Sequence, residues 1–131
     1  MLLSLTDLSS EPLQSQIVRQ IRATVLAGEL EAGTSLPSIR ALASEQRVSV
    51  ITVQRAYEYL EREGLIHSRR GKGFFVSELG DHEKKDMARD RLTENIGAHI
   101  AAALSEGLRA QDVKTIVESI LRNGGKQGAR K

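Results

Sequence analysis

Three short segments with helical periodicity, followed by a glycine-centred hairpin, occupy residues 9–77 and constrain the fold more than any other feature. The first segment begins at Ser9-Ser10-Glu11-Pro12, because serine can cap free backbone amides and proline suits a first helical turn. Its apolar residues recur every four positions and share one face of the helix; they are Leu13, Ile17, Ile21 and Val25. Gly28 supplies the stop that completes this first predicted helix.

A second, short helix is predicted after a connection at residues 31–37, where glycine and proline interrupt any regular element. Ser38 opens this helix, and Arg40 points away from its apolar face. The residues of that face are Ile39, Leu42 and Ala43. The connection therefore allows the chain to change direction between the first two helices.

The third predicted helix covers residues 50–63 and ends at Gly64. Ser49 is a good N-cap, with Val48 and Val53 around it in a hydrophobic-staple arrangement. The inward stripe consists of Val53, Ala56, Tyr57 and Leu60. The outward N-terminal end consequently carries Ser49, Val50, Ile51, Gln54 and Arg55.

Two short strands are predicted at residues 65–70 and 74–77, joined by the turn Gly71-Lys72-Gly73. Arg69 and Arg70 make the tip of this hairpin basic. Three short helices, with a turn between the second and third, and then a basic hairpin form the order of a winged helix-turn-helix. The predicted fold class is mainly α with a small β-hairpin (α+β), and residues 9–77 form the predicted DNA-binding domain.

In the remaining chain, polarity and apolar periodicity predict a polar linker at residues 80–84, a two-helix region at 84–124 and a basic tail at 125–131. Two amphipathic helices bury one another only partly, so we expect this region to form a homodimer. The expected dimerisation residues are Leu92, Ile96, Ile100, Leu104, Val113, Ile116, Val117 and Ile120. The alternative is that the two helices fold back on their own winged helix.

Charge is nearly balanced in total but segregated along the first half of the chain. The net charge of +2 indicates no particular partner, and residues 1–80 hold as many acidic as basic residues. The basic residues nevertheless form two stretches, which contain Arg40, Arg47 and Arg55 in one and Arg69, Arg70 and Lys72 in the other. A fold that brings these stretches together makes a local positive face that suits a phosphate backbone.

Several classes of function find no support in the sequence. The chain has no cysteine, and its three histidines are dispersed without ligand spacing, so we expect no metal and no cofactor. No nucleophile stands near a base, so we expect no enzyme. Neither a signal peptide nor an apolar run long enough to span a membrane is visible, which predicts a cytoplasmic protein.

Short motifs follow one another in a fixed order through about half of the chain. They are Pro12-Leu13 with Ile17, Gly28-Glu29-Leu30-Glu31-Ala32-Gly33, Leu36-Pro37-Ser38-Ile39-Arg40, Val48-Ser49, Thr52-Val53, Arg55-Ala56-Tyr57, Leu60-Glu61, Glu63-Gly64-Leu65-Ile66 and Gly71-Lys72-Gly73-Phe74. In this order they resemble the DNA-binding domain of the GntR family of transcription regulators. The Ala56-Tyr57 pair and the short helical C-terminus resemble the YtrA subfamily, which implies dimerisation and, often, repression of neighbouring genes such as transporter operons.

The resemblance implies DNA contacts for Arg40, Ser49, Thr52, Arg55, Arg70 and Gly71. Position on the third helix and on the hairpin adds Val50, Ile51, Gln54, Arg69, Lys72 and Gly73 to the expected DNA-binding set. Val50 and Ile51 depart from the family, which usually carries a polar or basic residue, or a Pro-Asn pair, at that point. We expect one of the two to contact a thymine methyl group, which apolar side chains can read.

The expected function is that of a homodimer on a double-stranded DNA operator. Its two winged helices would occupy half-sites of a pseudo-palindrome whose centres lie about 34 Å apart, or a multiple of that distance. The alternative is a winged-helix protein-interaction module without sequence-specific DNA binding. Whether a small-molecule effector binds between the winged helix and the C-terminal helices stays open at the level of sequence.

Overall fold

A computed structural model describes residues 3–129 of the chain. The order of elements is α1 (Leu13–Leu26), α2 (Ile39–Gln46), α3 (Val50–Arg62), β1 (Ile66–Arg69), β2 (Gly73–Val76), α4 (Asp81–Ser105) and α5 (Ala110–Ala129). The five helices and one hairpin of this described range confirm the predicted fold class. The chain divides into two compact units, and the boundary between them lies after Met87, inside α4.

The start of α1 differs from the prediction. Pro12 is the N-cap and no side chain caps the helix, while the Ser9 hydroxyl accepts a hydrogen bond from the Glu11 amide over 3.0 Å. The fully buried Gln16 holds the preceding segment instead. Its Oε1 accepts from the Thr6 amide at 3.0 Å, and its Nε2 donates to the carbonyls of Thr6 and Glu11 at 2.8 Å each. Because these bonds fix the chain before α1, the serines stay outside the helix.

The serine caps expected at the starts of α2 and α3 are present. The Ser38 hydroxyl accepts a hydrogen bond from the Ala41 amide at 3.0 Å, and the Ser49 hydroxyl accepts one from the Thr52 amide at 3.1 Å. Between the two helices, Arg47 is the C-cap of α2 with φ of 58°, in the left-handed region. This residue ends α2 abruptly, so that α3 begins after a connection of only a few residues.

In the hairpin, β1 and β2 pair antiparallel, as predicted. A third segment, which was not predicted, also forms hydrogen bonds to this hairpin. Residues 33–36, expected to be only a connection, lie along β2. The Gly33 amide donates to the Val76 carbonyl at 2.8 Å, and the Leu36 amide donates to the Phe74 carbonyl at 2.9 Å. These bonds join residues that are far apart in sequence, so the local pattern of glycine and proline did not reveal them.

The hydrophobic core of the first unit lies between the three short helices and the hairpin. The predicted stripe of α3 is buried, as are Ile17, Ile21 and Val25 of α1. The rest of the chain in this unit contributes further buried residues to the core, which are Leu36, Leu42, Ala43, Leu65, Ile66 and Val76. One ion pair crosses the edge of this core, where Arg22 Nη2 lies 2.9 Å from Glu63 Oε1. Arg22 is only 7% exposed, so this pair ties α1 to the end of α3.

The linker predicted at residues 80–84 is wrong, because α4 begins at Asp81. The Gly80 amide donates to Glu83 Oε1 at 3.3 Å, and both acids lie in the first turn, where the positive end of the helix dipole favours negative charge. A polar stretch can therefore be helical when its charges match the helix end.

The end of α5 also differs from the prediction. The helix continues through Gly124, where the sequence predicted its stop. Arg130 and Lys131 of the predicted basic tail lie outside the described residues.

Several large apolar side chains of the second unit are exposed. No residue of α4 is buried. Among the expected dimerisation residues, the exposed ones are Leu92, Leu104, Ile116 and Ile120, and the half-buried ones are Ile96, Ile100, Val113 and Val117. Leu108 and Leu121, outside the expected set, are exposed as well. Within residues 3–129, no helix combines the length and the apolar character needed to cross a membrane.

Candidate nucleic-acid interface

The first turns of α3 form an exposed surface opposite the core. At about 100° per residue, Ile51 lies roughly opposite the centre of the buried stripe, and Gln54 and Arg55 flank it on either side. Val50 and Ile51 are 44% and 50% exposed, Arg55 is exposed and Gln54 is half-buried. The structure thus brings these predicted residues together on one face.

The cap of α3 uses the hydroxyl groups that the sequence offered as DNA contacts. Ser49 Oγ, besides accepting from the Thr52 amide, lies 2.8 Å from Thr52 Oγ1. The two hydroxyls therefore hydrogen-bond to each other, although Ser49 is exposed and Thr52 half-buried. Each retains lone-pair or donor capacity beyond this pair, because a hydroxyl has one donor and two acceptor positions.

The helix-turn-helix contributes further exposed cations. Arg40 is exposed in the first turn of α2, two residues after the Ser38 cap. Arg47 is exposed at the left-handed turn between the helices. Sequence reasoning missed the special backbone of Arg47, because glycine or asparagine is the usual signal for that conformation.

The hairpin tip presents a second group of exposed residues, Arg69, Arg70, Gly71, Lys72 and Gly73. Gly71 and Gly73 have φ of 74° and 102°, which a residue with a Cβ rarely adopts, so the tight turn depends on glycine there. Arg69 differs from its neighbours because its guanidinium lies over the Phe75 ring, 4.8 Å from the centroid.

Four of the predicted cations have no side-chain partner among the described residues. Arg19 and Arg22 are paired with glutamates at 3.0 and 2.9 Å. By contrast, within the described part of the chain no side chain pairs with the following exposed residues: Arg40, Arg55, Arg70 and Lys72. Their charges are therefore directed to solvent, where a polyanion can neutralise them.

The acids of α3, which interrupt the two basic stretches in the sequence, are engaged within the fold. Glu58 accepts a hydrogen bond from Gln54 Nε2 at 3.2 Å. Glu61 Oε2 accepts from the amide and the hydroxyl of Ser68 at 3.2 and 3.0 Å, which ties β1 to α3. Glu63 holds Arg22, as described above. Each of these acids thus has a hydrogen-bond partner within the fold.

Tyr57 is the residue that joins the three parts of the interface, a role that the sequence did not reveal. Its hydroxyl donates a hydrogen bond of 2.8 Å to the carbonyl of Pro37, just before α2. Its ring packs edge-on against Phe74 of β2, with centroids 5.0 Å apart. Burial, and secondarily the charge of Glu45, raise the pKa of the Tyr57 hydroxyl, so it stays protonated and donates this bond.

Similarity to known proteins agrees with this geometry. The sequence profile described as "Bacterial regulatory proteins, gntR family" matches residues 13–76. The uncharacterised regulator YhcF of Bacillus subtilis is 32% identical over 88% of this chain and 95% of its own length. The transcriptional repressor YtrA of the same organism is 36% identical over 91% of this chain and 93% of its own length. Both similarities extend well beyond the winged helix into the second unit.

A solved structure shares the fold over nearly the same extent. A GntR family transcriptional regulator from Listeria monocytogenes superimposes with a TM-score of 0.70, at 29% identity, over 85% of this chain and 96% of that one. The family and the relatives are transcription regulators and not enzymes, in agreement with the expectation from the sequence. The chain therefore belongs to the GntR family of bacterial regulatory proteins, as a YtrA-like transcription regulator with a DNA-binding winged helix-turn-helix.

Proposed function

We propose that the chain is a homodimeric repressor that binds a pseudo-palindromic operator in the cytoplasm. The observation that carries this proposal is a set of exposed cations on α2, on α3 and at the hairpin tip that have no side-chain partner among the described residues; they are Arg40, Arg55, Arg70 and Lys72. Phosphate groups on two sides of a DNA groove can supply negative charge to these side chains, which have no acidic partner in the part of the chain that the structure describes.

Each predicted site residue has a place in this proposal. The start of α3 enters the major groove, so that base edges meet Val50, Ile51, Gln54 and Arg55. Phosphates near the two helix N-termini meet Arg40, Ser49 and Thr52. The hairpin tip reaches a neighbouring groove, where the backbone comes close at Gly71 and Gly73, and the charge comes from Arg69, Arg70 and Lys72.

The apolar residues of the second unit support the proposed dimer. Exposed leucine and isoleucine side chains on α4 and α5 gain free energy when a second copy removes them from water. We propose the predicted eight residues, Leu92, Ile96, Ile100, Leu104, Val113, Ile116, Val117 and Ile120, as the centre of that interface. Two copies then match two half-sites of an inverted repeat.

The sign of regulation and the target are inferred from the relatives. YtrA of Bacillus subtilis, which aligns along almost the whole chain, is named a transcriptional repressor. A dimer that covers an operator beside its own gene blocks transcription there, and by resemblance we infer a transporter operon as the regulated unit. Repeating the binding measurements with added metabolite extracts tests whether a small-molecule effector changes the affinity.

Selection of bound sequences from random duplex DNA by the purified full-length chain tests the proposed function. We expect an enriched inverted repeat whose half-sites lie about 10 base pairs, or a multiple of that, from centre to centre. Absence of any enriched sequence would instead favour the protein-interaction module. Sedimentation at tens of micromolar tests the dimer separately, and a monomer at that concentration would contradict it.

Titration of the selected operator by variants tests the proposed DNA-binding surface. Arg40→Ala and Arg55→Ala each remove a charge-assisted hydrogen bond, which corresponds to about tenfold weaker binding or more. Each also lowers the slope of log affinity against log salt by about one if it removes one phosphate contact. Arg62→Ala is the matched control, because this arginine lies at the far end of α3 over the Tyr59 ring. Equal loss in all three variants would contradict the assignment.

A further inference from the structure

Two exposed β-branched residues at the start of α3 lie outside the hydrophobic core. Val50 and Ile51 are 44% and 50% exposed, and neither belongs to the hydrophobic core. The apolar contacts at this helix start come from Val48, which packs against the core cluster, and from Val53, which is a fully buried member of it. The staple therefore needs neither Val50 nor Ile51.

Helix formation does not explain the pair either. Valine and isoleucine are poorer helix formers than alanine, because branching at Cβ restricts the χ1 angle against the preceding turn. Polar side chains are the usual occupants of exposed positions in a first helical turn. Both residues thus disfavour the helix slightly while leaving apolar surface in water.

The neighbouring side chains define what this surface can meet. Ile51 lies at the centre of the outward face, between Gln54 and Arg55. The hydroxyls of Ser49 and Thr52 hydrogen-bond to each other at 2.8 Å, and Gln54 Nε2 donates to Glu58 at 3.2 Å. The methyl groups of Ile51 therefore lie at the centre of the outward face, and the hydrogen-bonding groups lie to either side of it.

Charge complementarity identifies the occupant as DNA rather than an apolar protein surface. The patch lies at the positive end of the α3 dipole and beside Arg55, and the exposed cations of α2 and the hairpin tip belong to the same unit. An apolar protein partner would have to desolvate these cations without compensation. The apolar group that a side chain can contact in the major groove of DNA is the C5-methyl group of thymine, and phosphates border that groove.

We propose that Ile51, with Val50 beside it, determines sequence specificity by packing against a thymine C5-methyl group in each half-site. This inference rests on the proposed function, because it needs a specific operator. It adds that one or two thymine positions of each half-site are recognised by their methyl group and not only by their hydrogen-bonding edge.

Replacement of single thymines by deoxyuridine in the selected operator tests the inference, because uracil keeps the pairing of thymine and lacks only the methyl group. At the contacted position we expect about fourfold weaker binding by the wild-type chain, the value for burying one methyl-sized group. In Ile51→Ala the thymine and uracil operators should bind within experimental error of each other. Val50→Ala should reduce the same preference or shift it to the neighbouring base pair.

Leu8→Ala is the matched control, because Leu8 is an exposed aliphatic residue outside α3. It should keep the full preference for thymine over uracil, and thermal unfolding should show that Ile51→Ala is folded. The inference is overturned if no thymine position is sensitive to uracil, or if the sensitivity persists unchanged in both Ile51→Ala and Val50→Ala. Failure of the selection to yield any operator would instead contradict the proposed function.

Discussion

Removal of one hydroxyl group, in Tyr57→Phe, measures how firmly α3 is tied to the start of α2. The Tyr57 hydroxyl donates to the Pro37 carbonyl at 2.8 Å, and the residue is fully buried. Phenylalanine keeps the edge-on contact with Phe74, whose ring centroid lies 5.0 Å away. The substitution therefore isolates the hydrogen bond from the packing of the ring.

The expected cost follows from the bond and from the acceptor left behind. A typical buried hydrogen bond contributes about 1 kcal/mol, and a buried acceptor without a donor costs about 1–3 kcal/mol. Pro37 is half-buried, so water reaches its carbonyl in part. We expect the free energy of unfolding to fall by about 1.5 kcal/mol in Tyr57→Phe near neutral pH.

At alkaline pH, we expect the difference in the free energy of unfolding between wild type and Tyr57→Phe to disappear. The ordinary pKa of tyrosine is 10.0, and burial, with the charge of Glu45 second, raises the pKa of Tyr57 in the folded chain. The unfolded chain therefore loses the Tyr57 proton first, and the contribution to stability is complete below pH 10 and declines above it. At pH 11 the decline is about 1.4 kcal/mol, so wild type and Tyr57→Phe should then be about equally stable.

Urea unfolding at one fixed protein concentration, between pH 7 and pH 11, provides the measurement. Tyr59→Phe is the control, because Tyr59 lies on the same helix but is 40% exposed. It should change the free energy of unfolding by less than about 0.5 kcal/mol. The reasoning is refuted if Tyr57→Phe is as stable as wild type at pH 7, or if the difference between them stays constant to pH 11.

Four further substitutions test three separate parts of the protein. Glu63→Ala leaves the buried Arg22 guanidinium unpaired and should cost about 3 kcal/mol in urea unfolding, whereas Arg22→Met, which leaves the half-buried carboxylate hydrated, should cost less. Arg47→Gly relieves a left-handed backbone at φ of 58° and should raise the free energy of unfolding by about 0.5–1 kcal/mol. Ile120→Glu places a charge on the exposed apolar face of α5 and should shift the sedimenting species from dimer to monomer.

Each of these predictions has its own contrary outcome. Equal losses in the two variants of the Arg22 ion pair would show that burial does not distinguish its partners. A destabilised Arg47→Gly would mean that the side chain of this arginine contributes more than its backbone costs. A dimeric Ile120→Glu would move the interface away from α5, and Glu118→Ala, an exposed change on the same helix, provides the neutral comparison.

Much of the winged helix was predictable because its signals are local. Ser38 and Ser49 are helix N-caps, and each hydroxyl accepts a hydrogen bond from a backbone amide, as their positions before apolar periodic segments predicted. The stripe of α3 is buried because apolar residues three and four apart share one face. The basic residues Arg40 and Arg55 are exposed because they lie off the apolar faces of their helices.

The features that the sequence did not predict correctly depend on contacts between residues distant in sequence or on charges that compensate for polarity. Residues 33–36 lie along β2 through hydrogen bonds to a strand much later in the chain, which no local pattern shows. The segment before α1 is fixed by Gln16, so the serine cap predicted there is not used. Residues 80–84 were predicted as a linker for their polarity, although acids at a helix start stabilise it.

We propose that this chain recognises a particular DNA sequence through α3 and the hairpin tip. The most direct measurement compares its affinity for the selected operator with that for a scrambled duplex of the same length at the same physiological salt concentration. We predict at least about 1,000-fold tighter binding to the operator. A ratio near one, with the chain folded and dimeric, would contradict the claim.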